Sequence, residues 1–256
     1  MTSVLGSLKW GVDRMLAVGY GVVYDYIFEH FDPYRRLQRE VLAAVEAEAG
    51  AERAAVRILD IGCGPGNFSL MLAEAGFTVV GLDAYDPLIS LAQEKRRTQR
   101  LSNLAFKHGD LVKDSPFRSE HFDQVINVHF LYAHPDPISV LRAAYRVLKP
   151  GGHAVFVNLT RRVPMWATIR ELSAREGIVP VLRSLVWVLP NTIFETVRRR
   201  SGPHYWDEER MARHLREAGF ELLTLRRTFF DGASLLASVR KPQTAAGASA
   251  QPEPVP

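Results

Sequence analysis

Val56-Arg-Ile-Leu-Asp-Ile-Gly-Cys-Gly-Pro-Gly-Asn-Phe68, with an acid following at Asp83, is the stretch whose reading decides the fold. Residues 57–61 form a short apolar run of the kind a buried parallel strand shows. Gly62, Gly64 and Gly66 come next at spacing two, and an apolar-periodic helix is expected from about Phe68 to Ala75. Glycines at such a turn let the backbone approach a ligand that a Cβ would push away. Gly76 ends the helix and Phe77-Thr-Val-Val-Gly-Leu reads as a second strand. Asp83 stands at its end, where a carboxylate can accept both hydroxyls of a ribose.

Two cofactor classes compete for such a unit, a nicotinamide dinucleotide and S-adenosylmethionine (SAM). The dinucleotide fingerprint is G-x-G-x-x-G, which seats a pyrophosphate on the helix N-terminus. Here the third glycine comes one residue early and Asp60 precedes the glycines. That arrangement resembles motif I of the class I SAM-dependent methyltransferases. The resemblance implies that Asp60 helps hold the methionine end of a cationic, phosphate-free ligand.

The resemblance runs over about residues 50–240. Leu104-Ala-Phe-Lys-His-Gly-Asp110 is similar to the family's third strand, which implies that Asp110 and Leu111 meet the adenine. Phe122-Asp-Gln-Val-Ile-Asn-Val-His129 is similar to the fourth strand, with Asn127 facing the methionine moiety. Tyr145-Arg-Val-Leu-Lys-Pro-Gly-Gly-His-Ala-Val-Phe-Val157 is similar to the helix, turn and fifth strand, Leu215–Leu223 to the last helix and sixth strand, and Ala233–Arg240 to the seventh. The expected fold is a Rossmann-like, doubly wound α/β sheet of seven mostly parallel strands. Its implied order is 3-2-1-4-5-7-6, with the seventh strand antiparallel.

Around this core the chain divides by pattern. Leu5, Leu8, Val12, Leu16, Tyr20 and Val23 recur at helical spacing, so residues 1–50 read as an N-terminal helical cap, with a further helix from Leu37 to Ala49. Residues 51–160 form the SAM-binding core and 207–240 its C-terminal part. The connection over 161–206 is too long for a simple loop and reads as a helical lid insert. Residues 241–256, rich in Ala, Pro, Gln, Ser and Gly, read as a disordered tail.

The composition narrows the function classes. A single cysteine, Cys63, excludes an internal disulfide framework and suits a reducing compartment, and no Cys/His cluster has zinc spacing. Lys9, Asp13 and Arg14 interrupt the N-terminal apolar residues, so no signal peptide is expected there, nor a transmembrane run. The whole chain carries +4, yet residues 161–200 hold eight arginines against three glutamates. A cytoplasmic protein is expected, and the basic insert leaves open a seat on an anionic membrane surface. Arg198-Arg-Arg200 could grip phosphate, but Asn127-Val-His-Phe130 lacks the Pro-Pro-aromatic of amino-methylating DNA enzymes. No nucleic-acid partner is expected. Asn127 also stands where catechol-type enzymes carry a metal-binding acid, so no metal is expected.

His129, Tyr132 and His134 follow the fourth strand at the ligand edge and are the catalytic candidates. Neutral histidine can take a proton near pH 7. The same loop histidines could equally shape the pocket or cap a helix at Asp136. Tyr24 or Tyr26 could close over SAM or pack in a helix face, and Trp166, Trp187 and Trp206 could line an apolar acceptor site. The cofactor set is Asp60, Gly62, Gly64, Gly66, Asp83, Asp110, Leu111, Asn127 and Tyr24. The resemblance implies methyl transfer to O, N or C of a small, largely apolar acceptor, such as a quinone, lipid or secondary metabolite. A catalytically silent binding protein on the same fold and, behind it, an NAD-linked oxidoreductase are the alternatives. Oligomeric state is not legible.

Overall fold

The computed structural model describes Asp25, Phe28, Glu29, residues 32–161, Arg170 and residues 204–243. The expectations for Tyr24, Tyr26, Trp166, Trp187, the Arg198–Arg200 cluster, most of the lid and the tail beyond Gln243 lie outside these residues; Lys241, expected in the tail, is instead buried, its ammonium donating to Tyr145 O and Leu148 O.

Seven strands form one sheet. In chain order they are β1 (Arg57–Ile61), β2 (Thr78–Asp83), β3 (Leu104–His108), β4 (Phe122–Val128), β5 (Leu148–Leu159), β6 (Glu221–Thr228) and β7 (Ser234–Arg240). The spatial order is β3-β2-β1-β4-β5-β7-β6. β1 to β5 pair in parallel, and β7 runs antiparallel between β5 and β6. This is the order the resemblance implied.

The helices are α1 (Asp32–Glu46), α2 (Asn67–Glu74), α3 (Asp86–Thr98), α4 (Pro137–Val147) and α5 (Glu208–Glu217). Helix α1 begins five residues before the expected Leu37 and ends three before Ala49. Asp32 and Pro33 explain the early start: an acid and a fixed φ both suit a first turn. Leu37, Val41 and Val45 then recur every fourth residue and are fully buried. The Lys149-Pro-Gly-Gly152 stretch, expected as a turn before β5, lies within that strand. Its extra residues are taken up as a register shift, with Phe122 opposite Leu148 and Gln124 opposite His153.

Apolar residues cover both faces of the sheet, as a parallel sheet requires. Alternate β5 residues divide between two cores: Val155 and Val157 join α1, α2 and α3, whereas Ala154 and Phe156 join α4 and α5. Each buried aliphatic side chain contributes about 1.5–3 kcal/mol. The strand order reverses between β1 and β4, and a crevice opens at their carboxyl ends.

Candidate active site

A cavity of about 570 Å³ lies in that crevice. Its wall is built at the ends of the first four strands: Asp60 to Pro65 at the end of β1, Asp83 and Ala84 at the end of β2, Gly109 to Lys113 after β3, and Val128 to Phe130 with Tyr132 to Asp136 at the end of β4. Phe28, Asn67 and Phe68 close it from the side of α2.

The glycine turn is shaped by what it must avoid. At Gly62 (φ +71°) an added Cβ would come within 2.3 Å of the Phe130 ring, so this glycine admits a wall of the cavity. At Gly64 (φ +54°) nothing lies within 4 Å of the same position, and the space belongs to the cavity. Gly66 does not line the cavity; it precedes the first residue of α2 and packs on Phe106.

Two acids flank the turn. Asp83 is 4 % exposed, and its two oxygens accept the backbone N–H groups of Gly64 (3.0 Å) and Tyr85 (2.9 Å). A carboxylate has about four lone-pair sites, so two remain for a ligand. Asp60 accepts the Ser69 hydroxyl at 2.6 Å. Burial raises its pKa to about 7; the Ser69 hydrogen bond opposes the rise and the nearby Asp83 charge adds to it. A carboxyl so placed is about half ionised near neutrality, and a positive charge beside it would favour the anion.

Asp110 closes its own turn. Its Oδ1 accepts the N–H of Val112 (2.9 Å) and of Lys113 (3.3 Å). Burial pushes its pKa up, but those N–H groups and the Lys113 ammonium outweigh it and hold Asp110 below the usual range. Leu111 is buried beside it on the wall. Asn127 sits behind the wall rather than on it. It is fully buried, and its Nδ2 donates to Ile61 O at 2.8 Å, tying β4 to β1.

The histidines occupy different surroundings. His129, at φ +52°, lines the cavity with its Nε2 2.8 Å from Ser234 Oγ. Its ring meets Phe229 at 4.8 Å and Tyr34 at 6.0 Å between centroids. Burial pushes its pKa down to about 3. His134 Nδ1 accepts the Asp136 N–H at 3.0 Å, so in the neutral ring the proton sits on Nε2. Burial also lowers its pKa, against the pull of Asp110 and Asp136. The helix cap is Asp136 itself, which accepts the Ser139 N–H at 3.0 Å. Tyr132 stacks on Tyr205 at 6.2 Å, and its carbonyl accepts the His204 N–H at 2.7 Å. The stems of the 161–206 connection are therefore fastened beside the cavity: Trp206 N–H donates to Leu159 O and Asn158 Nδ2 to His204 O. Trp206 is buried with the α4 and α5 core and does not line the cavity.

Sequence reasoning missed Phe28, Phe68, Asn67, Phe130 and Ser234. Only Asn67 and Phe68 carried a local signal, their place directly after Gly66. Cys63 is buried with its pKa pushed up by burial, so its thiol stays protonated. Among the described residues no group of three or more His, Cys, Asp or Glu could hold a metal ion, and no helix is long and apolar enough to cross a membrane.

The site fits SAM on its own features. Gly64 offers open space, the buried Asp60 would be held as its anion by a cation, Asp83 keeps acceptor sites, and Asn67 Nδ2 is buried with no partner among the described residues. Comparison with known proteins agrees. A demethylmenaquinone methyltransferase of Oceanobacillus iheyensis is 33 % identical over 159 residues, covering 61 % of this chain and 64 % of that protein. A ubiquinone biosynthesis O-methyltransferase of Pseudomonas fluorescens is 34 % identical over 107 residues, covering 41 % and 45 %. The chain thus spans less than two thirds of the length of these relatives. The fold matches magnesium protoporphyrin IX methyltransferase from Synechocystis PCC 6803 with bound S-adenosylhomocysteine (TM-score 0.62, 15 % identity, 91 % and 99 % of the two chains). It also matches the [4+2]-cyclase SpnF (TM-score 0.59, 19 % identity, 81 % of each chain). The sequence model described as "Methyltransferase domain" matches residues 28–225, and the chain belongs to that family, the class I SAM-dependent methyltransferases.

Proposed function

We propose that the protein transfers a methyl group from SAM to a small, largely apolar acceptor, of which an oxygen-bearing aromatic ring of the quinol type fits best. One observation carries the reading. The Asp60–Gly64–Asp83 cofactor turn shares a cavity with Phe28, Phe68, His129, Phe130 and Tyr132, a largely aromatic surface. The two quinone-pathway relatives support the acceptor class.

When bound, SAM supplies an electrophilic methyl group on a sulfonium. The chain's residues do the holding. Asp60 balances the ligand's positive charge, and Asp83 takes the ribose hydroxyls while Gly64 and Tyr85 fix its orientation. The Asp110 turn and Leu111 bracket the adenine, and Asn127 acts indirectly by fixing Ile61. Tyr24 is proposed to close over the cofactor on the sequence resemblance alone. His129 is proposed as a hydrogen-bonding wall for the acceptor rather than a base, because among the described residues no acid compensates its imidazolium. His134 is a donor through Nε2. Transfer then relies on proximity and on an acceptor that enters as its anion.

Isothermal titration of S-adenosylhomocysteine, with Asp83→Ala as control, followed by methyl transfer from labelled SAM to reduced naphthoquinone, tests this. Binding lost in the variant and labelled product support it; no binding by the wild type ends it. The second reading, another chemistry or none on this fold, is favoured by the likeness to a chain named as a cyclase. It wins if the ligand binds yet no acceptor among quinols, phenols, amines and lipids is methylated. Titration with NADH tests the oxidoreductase alternative, which absence of binding would remove. A cytoplasmic location with contact at an anionic bilayer remains an expectation from the 161–200 sequence. Absence of co-flotation with anionic liposomes at low salt would remove the membrane contact.

A further inference from the structure

Lys95 stands on α3 with its side chain 19 % exposed, and it does not line the cavity. Its ammonium donates to Asp25 Oδ1 at 2.8 Å and also to Asn67 Oδ1. An ammonium is a donor only, so it fixes which way the Asn67 amide points. Asn67 is the first residue of α2 and lines the cavity directly after the glycine turn. Asp25 comes from the other side, three residues before Phe28, and residues three apart on a helix share a face. Phe28 is 3 % exposed, lines the cavity and meets Phe68 edge-on with ring centroids 5.2 Å apart.

The arrangement runs against what solvation favours. Burial lowers the Lys95 pKa, and the charges of Asp25 and Glu29 oppose that shift. A partly buried cation is retained where its partners compensate it, and removing one partner leaves the rest uncompensated. Two segments 42 positions apart in sequence, at Asp25 and Asn67, are thereby joined through one side chain on a third. Both segments reach the cavity wall, at Phe28 and at Asn67.

We propose that Lys95 is a positioning residue for the cofactor. By holding Asp25 and Asn67 together it seats Phe28 against Phe68 and slows the ligand's departure. This rests on the reading that the cavity takes SAM.

The test uses the full chain, S-adenosylhomocysteine as probe, and the variants Asp25→Ala, Lys95→Met and the double variant. Affinity is measured by calorimetry, together with the ligand's dissociation rate and the melting temperature of the ligand-free protein. Asp25→Ala is expected to weaken binding about tenfold, mainly through faster dissociation, and to lower the melting temperature, since the Lys95 ammonium loses its carboxylate partner. The double variant is expected to bind no more weakly than Lys95→Met alone, since one interaction is lost in both. Unchanged affinity and dissociation in the folded variants, or losses that add, would overturn the proposal and leave Lys95 a structural tie. If Lys95→Met does not fold, Asp25→Ala decides by itself. Failure of the wild type to bind the probe would instead strike at the cofactor reading.

Discussion

The backbone N–H of Gly64 donates to Asp83 Oδ2 at 3.0 Å, so the middle of the turn after β1 and the acid ending β2 are one unit. Asp83→Ala therefore does two things. It removes the proposed ligand acceptor, and it strips the Gly64 and Tyr85 N–H groups of their partner, at about 1–3 kcal/mol for each donor left unsatisfied. Loss of cofactor binding with a lowered melting temperature is expected. Calorimetry must be paired with thermal denaturation, and lost binding at unchanged stability would mean the two hydrogen bonds carry little weight.

Gly62→Ala and Gly64→Ala separate packing from ligand approach. Both glycines have positive φ, which costs a residue with a Cβ about 1–2 kcal/mol. At Gly62 the methyl also collides with Phe130, so poor folding is expected. At Gly64 the methyl meets only open cavity, so a folded protein with SAM affinity reduced at least tenfold is expected. Equal melting temperatures for the two variants would refute the distinction.

If Asp60 holds the cofactor's charge as proposed, the cofactor affinity should depend on pH. Its folded pKa of about 7 lies above its ordinary 3.8, so the native state binds more protons between those values. The ligand-free fold accordingly loses stability as pH rises through that window. A cationic ligand favours the carboxylate, so SAM affinity should climb with pH up to about 7 and flatten above, by at most about tenfold per unit. Titrations on either side of neutrality check this, and Asp60→Asn should give a flat profile. A wild-type profile already flat would contradict the assignment.

His129→Gln tests the proposal that His129 is a wall for the acceptor and not a base. With the imidazole held neutral down to about pH 3, the acidic limb of the rate profile should not belong to it. The variant should raise KM for the acceptor and leave the shape of the pH profile unchanged. Disappearance of a limb near neutrality would restore His129 as a proton acceptor.

Asp136→Ala removes the cap of α4, because the Ser139 N–H then loses its acceptor. A cost of about 1 kcal/mol is expected. In a chain of this size that lowers the melting temperature by about 2–4 °C. His134 should keep its hydrogen bond, since its Nδ1 accepts the backbone N–H of residue 136, which the substitution leaves in place. A melting temperature unchanged in Asp136→Ala would show that the cap contributes nothing.

What the sequence determined by itself was local or periodic. The run before Gly62, the glycine spacing, the acid at Asp83 and the strand–helix alternation are contiguous features, each readable because backbone conformation and burial period follow from neighbouring residues. With the family resemblance they were enough for the strand order. Tertiary structure decided how those features are used. Asn127 looked like a wall residue by its place at the end of β4, yet its amide is spent on Ile61 O. His129 looked like a base by residue type, yet Ser234, Phe229 and Tyr34 converge on it from elements distant in the chain. The Lys95–Asp25–Asn67 junction has no sequence signature at all. Pairings of that kind arise only when the chain closes, and desolvation, which sets the protonation of Asp60 and His129, is a property of the packed surroundings and not of the residue.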